Sequence, residues 1–131
     1  MESVIEHRLH LLQDVLATYD EGLLRQLFDD DIAYHLPGHN LISGTYRGKD
    51  HVMQLLAMAR EHYLTRPYES TVVSVSTSDS HAAIRTIRHA SVNDVPLAWT
   101  QTTLFFTCKG LVTEVWVFTD NKETYDTYWT P

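Results

Sequence analysis

The residues of this chain best suited to chemistry are Asp120 and His35. Asp120 ends the run "LVTEVWVFTD" (111–120), in which Glu114, Trp116, Phe118 and Asp120 occupy alternate positions. Alternate residues of a strand share a face. If that face points inward, Asp120 stands at the end of an aromatic wall. A carboxylate there is partly desolvated, its pKa rises, and it can shuttle protons near neutral pH. The competing reading is a helix cap, because "TDNKE" is also a good helix start. His35 lies in "YHLPGHNLISGTYRG" (34–48). An unperturbed imidazole titrates at ~6.5, which suits proton transfer or polarising a carbonyl. The alternative is a histidine bonded to backbone at the Pro-Gly break. Tyr34 and His35 point to opposite faces, so only one can look into a pocket.

Other polar groups sit on strand-like runs. Arg85 and His89 share a face with Ala83 and Ile87, and Arg88 shares the other with Ile84, Thr86 and Ala90. A buried arginine needs an acidic partner or an anionic ligand. The plainer expectation leaves the arginines on a convex face, in solvent or an interface, with His89 as a further pocket candidate. In "LAWTQTTLFFTC" (97–108), Trp99, Gln101, Thr103 and Phe105 share one face, and Thr100, Thr102, Leu104 and Phe106 the other. Both faces carry large apolar groups, so each needs a cover. Helices supply one, and a second copy of the chain is the simplest cover for the other.

Metal and nucleophile patterns are weak. His35 and His39 straddle Pro37-Gly38, and His7 and His10 fall away from the apolar helical stripe, so no dedicated metal is expected. Nothing near Cys108 activates it. There is no Gly-x-Ser-x-Gly, phosphate loop or dinucleotide fingerprint, so any enzyme here is expected to work without a cofactor.

The elements that must position these groups are visible in the spacing. Ile5, Leu9, Leu12, Leu16 and Tyr19 predict a first helix, with Ser3 as cap and Glu6 at the capping-box position. Tyr19, at the end of that stripe, is a further candidate for contact with a ligand. Gly22 interrupts it, and "LLRQLF" (23–28) follows as a short second helix. "DDDIAYHL" (29–36) reads as a strand stopped by Pro37-Gly38, with a short strand near Thr45 to Arg47. Asp50 is expected to cap a third helix carrying Val52, Leu55, Leu56, Ala59 and Tyr63, closed by Arg66-Pro67.

From Tyr68 the period becomes two, giving strands over 68–78, 81–92, 97–108 and 111–120 joined by "SDS", "NDVP" and "KG". The polar-aromatic tail adds at most one helical turn. The result is an α+β fold, with helices on one face of a curved antiparallel sheet and a concavity suited to a small molecule.

At 131 residues the chain fits one domain. Its net charge of −7 argues against nucleic acid or an anionic membrane as partner. The lone cysteine, with no signal peptide and no membrane-spanning run, points to the cytoplasm.

Two stretches, "LLRQLFDDDIAYHLPGHNLISGTYRGKDHVMQLL" (23–56) and "KGLVTEVWVFTDNKETYDTYW" (109–129), together with the element order, resemble the nuclear transport factor 2 (NTF2)-like superfamily, more narrowly its SnoaL-like polyketide cyclase branch, related to ketosteroid isomerase. The resemblance spans essentially the whole chain as one domain, 1–131. It implies a cone-shaped sheet with three N-terminal helices on its concave face, a pocket between them, and dimerisation through the outer sheet face. In the cyclases an Asp matching Asp120 is the general acid/base. The expected activity is cofactor-free isomerisation or cyclisation of a small hydrophobic, carbonyl-bearing or polycyclic molecule, with Asp120 and His35 catalytic. Tyr34, Trp99, Trp116, Phe118, His89, Gln101 and Tyr19 would contact the substrate. The alternative is a non-catalytic binding or interaction module of the same fold.

Overall fold

The computed structural model describes residues 8–131. Ser3, Ile5, Glu6 and His7, and with them the expected start of the first helix, lie outside the described residues. Helix α1 spans Leu9–Gln13 and α2 Glu21–Leu27, followed by strands β1 (Phe28–Leu36) and β2 (Gly44–Arg47). Helix α3 (Lys49–Thr65) precedes β3 (Glu69–Thr77), β4 (His81–Val92), β5 (Val95–Cys108) and β6 (Leu111–Thr119), and α4 (Lys122–Tyr128) closes the series.

The apolar stripe that predicts a helix as far as Tyr19 ends early. Asp14 leaves the helical region (φ −148°, ψ 86°). Its carboxylate accepts from the Ala17 amide at 3.3 Å, and the Thr18 hydroxyl bonds the Leu11 and Asp14 carbonyls. Such local side-chain bonds compete with the helical ladder. Asp20 caps α2 by accepting from the Leu23 amide at 3.1 Å, so Gly22 falls inside α2 rather than before it. Asp50 does not cap α3. Gly48 holds that position at φ 90°, and Asp50 instead pairs with Arg25 at 2.9 Å.

The strands form a six-stranded sheet in the order β2-β1-β6-β5-β4-β3. Neighbours are antiparallel except β1 and β6, which run parallel and join the two ends of the chain. Two hairpin turns have positive φ at both central residues, Asn93-Asp94 and Lys109-Gly110, the geometry that matches strand twist. The inner face of the sheet carries Tyr34, Ile84, Trp99, Phe105, Val115 and Val117, packed with Leu12, Leu16, Leu55 and Leu56 of the helical layer.

The tail is more than a single polar turn. Asn121 caps α4 through the Thr124 amide at 3.1 Å, and Tyr125, Tyr128 and Trp129 are buried in the core. Each such ring removes roughly 150–250 Å² from water, on the order of 4–6 kcal/mol before entropy is counted. Arg66 donates to the Tyr128 carbonyl at 3.0 Å, and the Tyr128 hydroxyl donates to the Arg66 carbonyl at 2.6 Å. The bend after β1 is pinned to the same helix: Asp126 accepts from the His39 amide at 3.0 Å and the Asn40 side chain at 2.7 Å. Gly38 is needed there, since φ is +84° and a Cβ would stand 2.1 Å from Asp126 Oδ1. No helix among the described residues is long and apolar enough to cross a membrane.

Candidate functional site

Strand alternation groups the residues of β6 as expected, but the face is the reverse of the one anticipated. Val115 and Val117 point inward, while Trp116 is 36% and Phe118 47% exposed. The concave side already holds the rings of Tyr34, Trp99, Phe105, Tyr125 and Tyr128, which leaves β-branched valines as the better fit beneath them. Asp120, Trp116, Phe118, His35 and His89 therefore belong to the outer face, not to an inward aromatic wall.

There they are well provided for. His35 bonds Glu114 through Nε2 at 2.8 Å and Thr45 through Nδ1 at 3.0 Å, and its ring stacks on Trp116 at 3.6 Å. Asp120 is exposed and accepts from the Thr100 amide at 3.1 Å, tying the end of β6 to β5. His89 is exposed opposite Glu69 of β3.

The inner face holds a different set. A partly enclosed cavity of about 50 Å³ lies between α1 and the turn after it, α3, and the concave sheet. Its polar lining includes Asp14, Tyr34, Tyr68, Arg88, Gln101 and Trp129. Of the sequence candidates, Tyr34 and Gln101 line it. Trp99 is buried beside it, against Tyr68 at 6.0 Å and Tyr128 at 5.0 Å. Tyr19 is half-buried under the Arg60 guanidinium, 5.5 Å from its ring centre, and does not line the cavity.

Arg88 is the unexpected member. It faces inward and is only 6% exposed, against the expectation of a convex arginine. Alternation had grouped it with Ile84 and Thr86, and both are buried with it. Its Nη1 donates to Gln101 Oε1 at 3.1 Å, and its plane covers the Tyr68 ring at 4.4 Å. Its Nη2 comes within 3.9 Å of Asp14 Oδ1, too far for a hydrogen bond, and its buried Nε has no partner. Burial acts to lower the guanidinium pKa, but the Tyr68, Asp14, Tyr125 and Tyr34 oxygens together outweigh it, so the group stays charged.

Asp14 Oδ1 also accepts from the Tyr68 hydroxyl at 2.9 Å. The contacts of the carboxylate are thus all on Oδ1, and Oδ2 makes no hydrogen bond among the described residues. Burial pushes the Tyr34 hydroxyl up to about 12, although Arg88 pulls the other way, so it remains a donor at neutral pH. Burial likewise raises Tyr68 well above its ordinary range.

No protein-family model and no curated protein matches this chain. Solved structures do. A Xanthomonas campestris protein of unknown function with a cystatin-like fold aligns with TM-score 0.82 and 23% identity over 99% of this chain and 100% of that one. A Jannaschia sp. protein described as a SnoaL-like polyketide cyclase aligns with TM-score 0.64 and 16% identity over 89% and 85%. A Mycobacterium tuberculosis protein solved with estradiol-17β-hemisuccinate gives TM-score 0.67 and 16% identity over 89% and 94%. The chain has the NTF2-like fold.

In this NTF2-like cone, Asp14 and Tyr68 are, with Arg88, polar lining residues that sequence reasoning missed. Asp14 carries a signal: it lies inside "LLQDVL", an acid flanked on both sides by core positions. An acid placed so is either turned out or put to use. Tyr68 opens the strand-rich half of the chain and gives no comparable sign.

Proposed function

We propose that the inner cavity is the working site of a cofactor-independent acid/base enzyme, of isomerase or cyclase type, acting on a small hydrophobic molecule that bears a carbonyl. The supporting observation is Arg88, a buried cation with unmade donors beside a carboxylate that has a free oxygen. Arg88 and the Tyr34 hydroxyl hold the substrate oxygen and stabilise the negative charge that develops on it, a contribution of about 3–4 kcal/mol per well-aimed donor in a dry site. Asp14 Oδ2 accepts the proton from the adjacent carbon and returns it. Gln101 fixes the guanidinium, and the apolar walls exclude water. A relative of the same fold holds a steroid hemisuccinate. The cavity of about 50 Å³ is far below the ~300–1,000 Å³ of drug-sized ligand sites, so compact substrates fit first and a polycyclic one must displace the α1 wall.

Deuterium uptake at the α-carbons of cyclohexanone in D₂O, followed by NMR, tests this reading. Asp14→Asn is expected to slow exchange by about 10²-fold or more, the usual contribution of a positioned base, while Asp120→Asn leaves it within about twofold. Undiminished exchange in the Asp14 variant overturns the proposal. A ketone held but never exchanged favours the binding-module alternative. A cytoplasmic setting and a homodimer through the outer face complete the reading. Trp116, Phe118 and Ile87 are the exposed apolar groups a second copy would cover. Sedimentation velocity checks it: Trp116→Lys with Phe118→Lys should yield a monomer that retains exchange activity.

A further inference from the structure

The two edges of the sheet are built differently. At one edge β2 has four residues, ends in Arg47 and is followed by Lys49 after a single glycine. Short length and charge are the usual protection of an edge. At the other edge β3 has nine residues, Glu69–Thr77, and pairs only with β4. From Ser70 to Ser78 the sequence holds no charged residue and no proline. Thr71 to Ser76 are exposed throughout. Outside a bulge, alternate residues of such a strand turn their N–H and C=O groups away from the neighbour, and among the described residues nothing receives them. The bulge is at Val73, between the pairs Val72–Thr86 and Ser74–Arg85, and is the protective device this edge does have. Val72 and Val75 stand opposite the buried Thr86 and Ile84, so they carry the inner face out to its rim. They are 41% and 37% exposed there.

A row of unmade backbone bonds fits one kind of occupant, another extended chain that joins as a further strand. Charge says which chain. Both ends of the edge are acidic and exposed, with Glu69 at one and Asp79, between β3 and β4, at the other. A second copy laid antiparallel along β3 would bring those acidic ends together, and each copy carries a net charge of −7. The nearby cationic and titratable groups sit one strand back on β4: His81, Arg85 opposite Ser74, and His89 opposite Glu69. A cation in the middle of an incoming strand would meet Arg85. Cations at its two ends would meet Glu69 and Asp79.

We infer that β3 is a docking edge for a different protein. The partner supplies an extended segment with β-branched apolar residues at alternate positions and a cation at each end, and this segment adds to the six-stranded sheet as one more strand. Its backbone takes up the free bonds of Thr71 to Ser76, and its apolar side chains cover Val72 and Val75. The edge is separate from the inner cavity and leaves the outer face open to a second copy.

The probe is the capped heptapeptide KVTVTVK, and the readout is residue-resolved amide hydrogen exchange by NMR. The peptide is expected to slow exchange at alternate amides between Thr71 and Ser76 and to leave Gly44 to Arg47 unchanged. Capped EVTVTVE should bind about tenfold or more weakly, because its ends repel Glu69 and Asp79. KVTVTVK methylated on every inner peptide nitrogen should not bind. Val72→Lys with Val75→Lys, both at exposed positions, should weaken KVTVTVK by about tenfold or more. No binding of KVTVTVK, binding without protection of β3, or equal binding of the acidic or the methylated peptide overturns the inference. Slow exchange at those amides in dilute protein alone means that the chain covers its own edge. Protection that grows with protein concentration alone makes a second copy the occupant. Each of these also overturns it.

Discussion

The two faces of the sheet carry nearly the same residue types and put them to opposite use. On the outer face a histidine, a carboxylate and an indole form a closed set: both nitrogens of His35 are bonded, and its ring is covered by Trp116. On the inner face an arginine, a carboxylate and several phenols form an open set, with Arg88 Nε unpartnered and one Asp14 oxygen free. A buried polar group left unsatisfied costs about 1–3 kcal/mol. Residue type and aromatic company therefore do not mark the reactive cluster. Unmade bonds in a desolvated place do.

Beyond the loss of proton exchange expected for Asp14→Asn, the largest difference between the faces should appear in stability. Asp14→Ala leaves the Arg88 charge buried without a carboxylate, and should cost about 3–5 kcal/mol in urea unfolding. Glu114→Ala removes a partner that is 40% exposed and should cost under about 1 kcal/mol. Equal losses would break the contrast.

Next is the bend between β1 and β2. Gly38→Ala must hold φ +84° and push Asp126 away, for roughly 2–3 kcal/mol. With Asp126→Ala already present the added cost should fall by about 1 kcal/mol, read from a double-mutant cycle.

The smallest effect is in pH. Burial lowers the His62 pKa, the bond to the Tyr128 carbonyl offsets part of this, and Arg66 lowers it further. The unfolded chain then takes up its proton first as pH falls. The contribution is whole above the ordinary value of 6.5 and is lost as pH drops through the folded pKa. Urea midpoints between about pH 7.5 and 5.5 should fall less steeply for His62→Gln than for the wild-type chain.

Much of the fold is readable from spacing, because strand alternation and hairpin turns are local. The strands from Tyr68 onward, the Lys109-Gly110 turn and the partition of β4 and β6 into two faces all follow from neighbours a few residues apart. Which face is inner is not local. Both faces of β5 carry large apolar groups, and the choice rests on rings that arrive from α4, a segment whose sequence reads as a polar tail. That single ambiguity displaced Asp120, Trp116, Phe118 and His89 from the expected pocket and hid Arg88. Asp14 escaped for a related reason. Its value comes from leaving the helix that the periodicity predicts.

The parallel pairing of β1 with β6 has a kinetic consequence. It joins residues near Tyr34 to residues near Val115. On an emerging chain β1 would wait with an open edge until nearly every other strand had been synthesised. Such long-range closure is slow, and stopped-flow refolding is expected in the millisecond-to-second range rather than microseconds. A chain held on the ribosome just short of β6 should remain open to protease, a client for whatever chaperone meets it first.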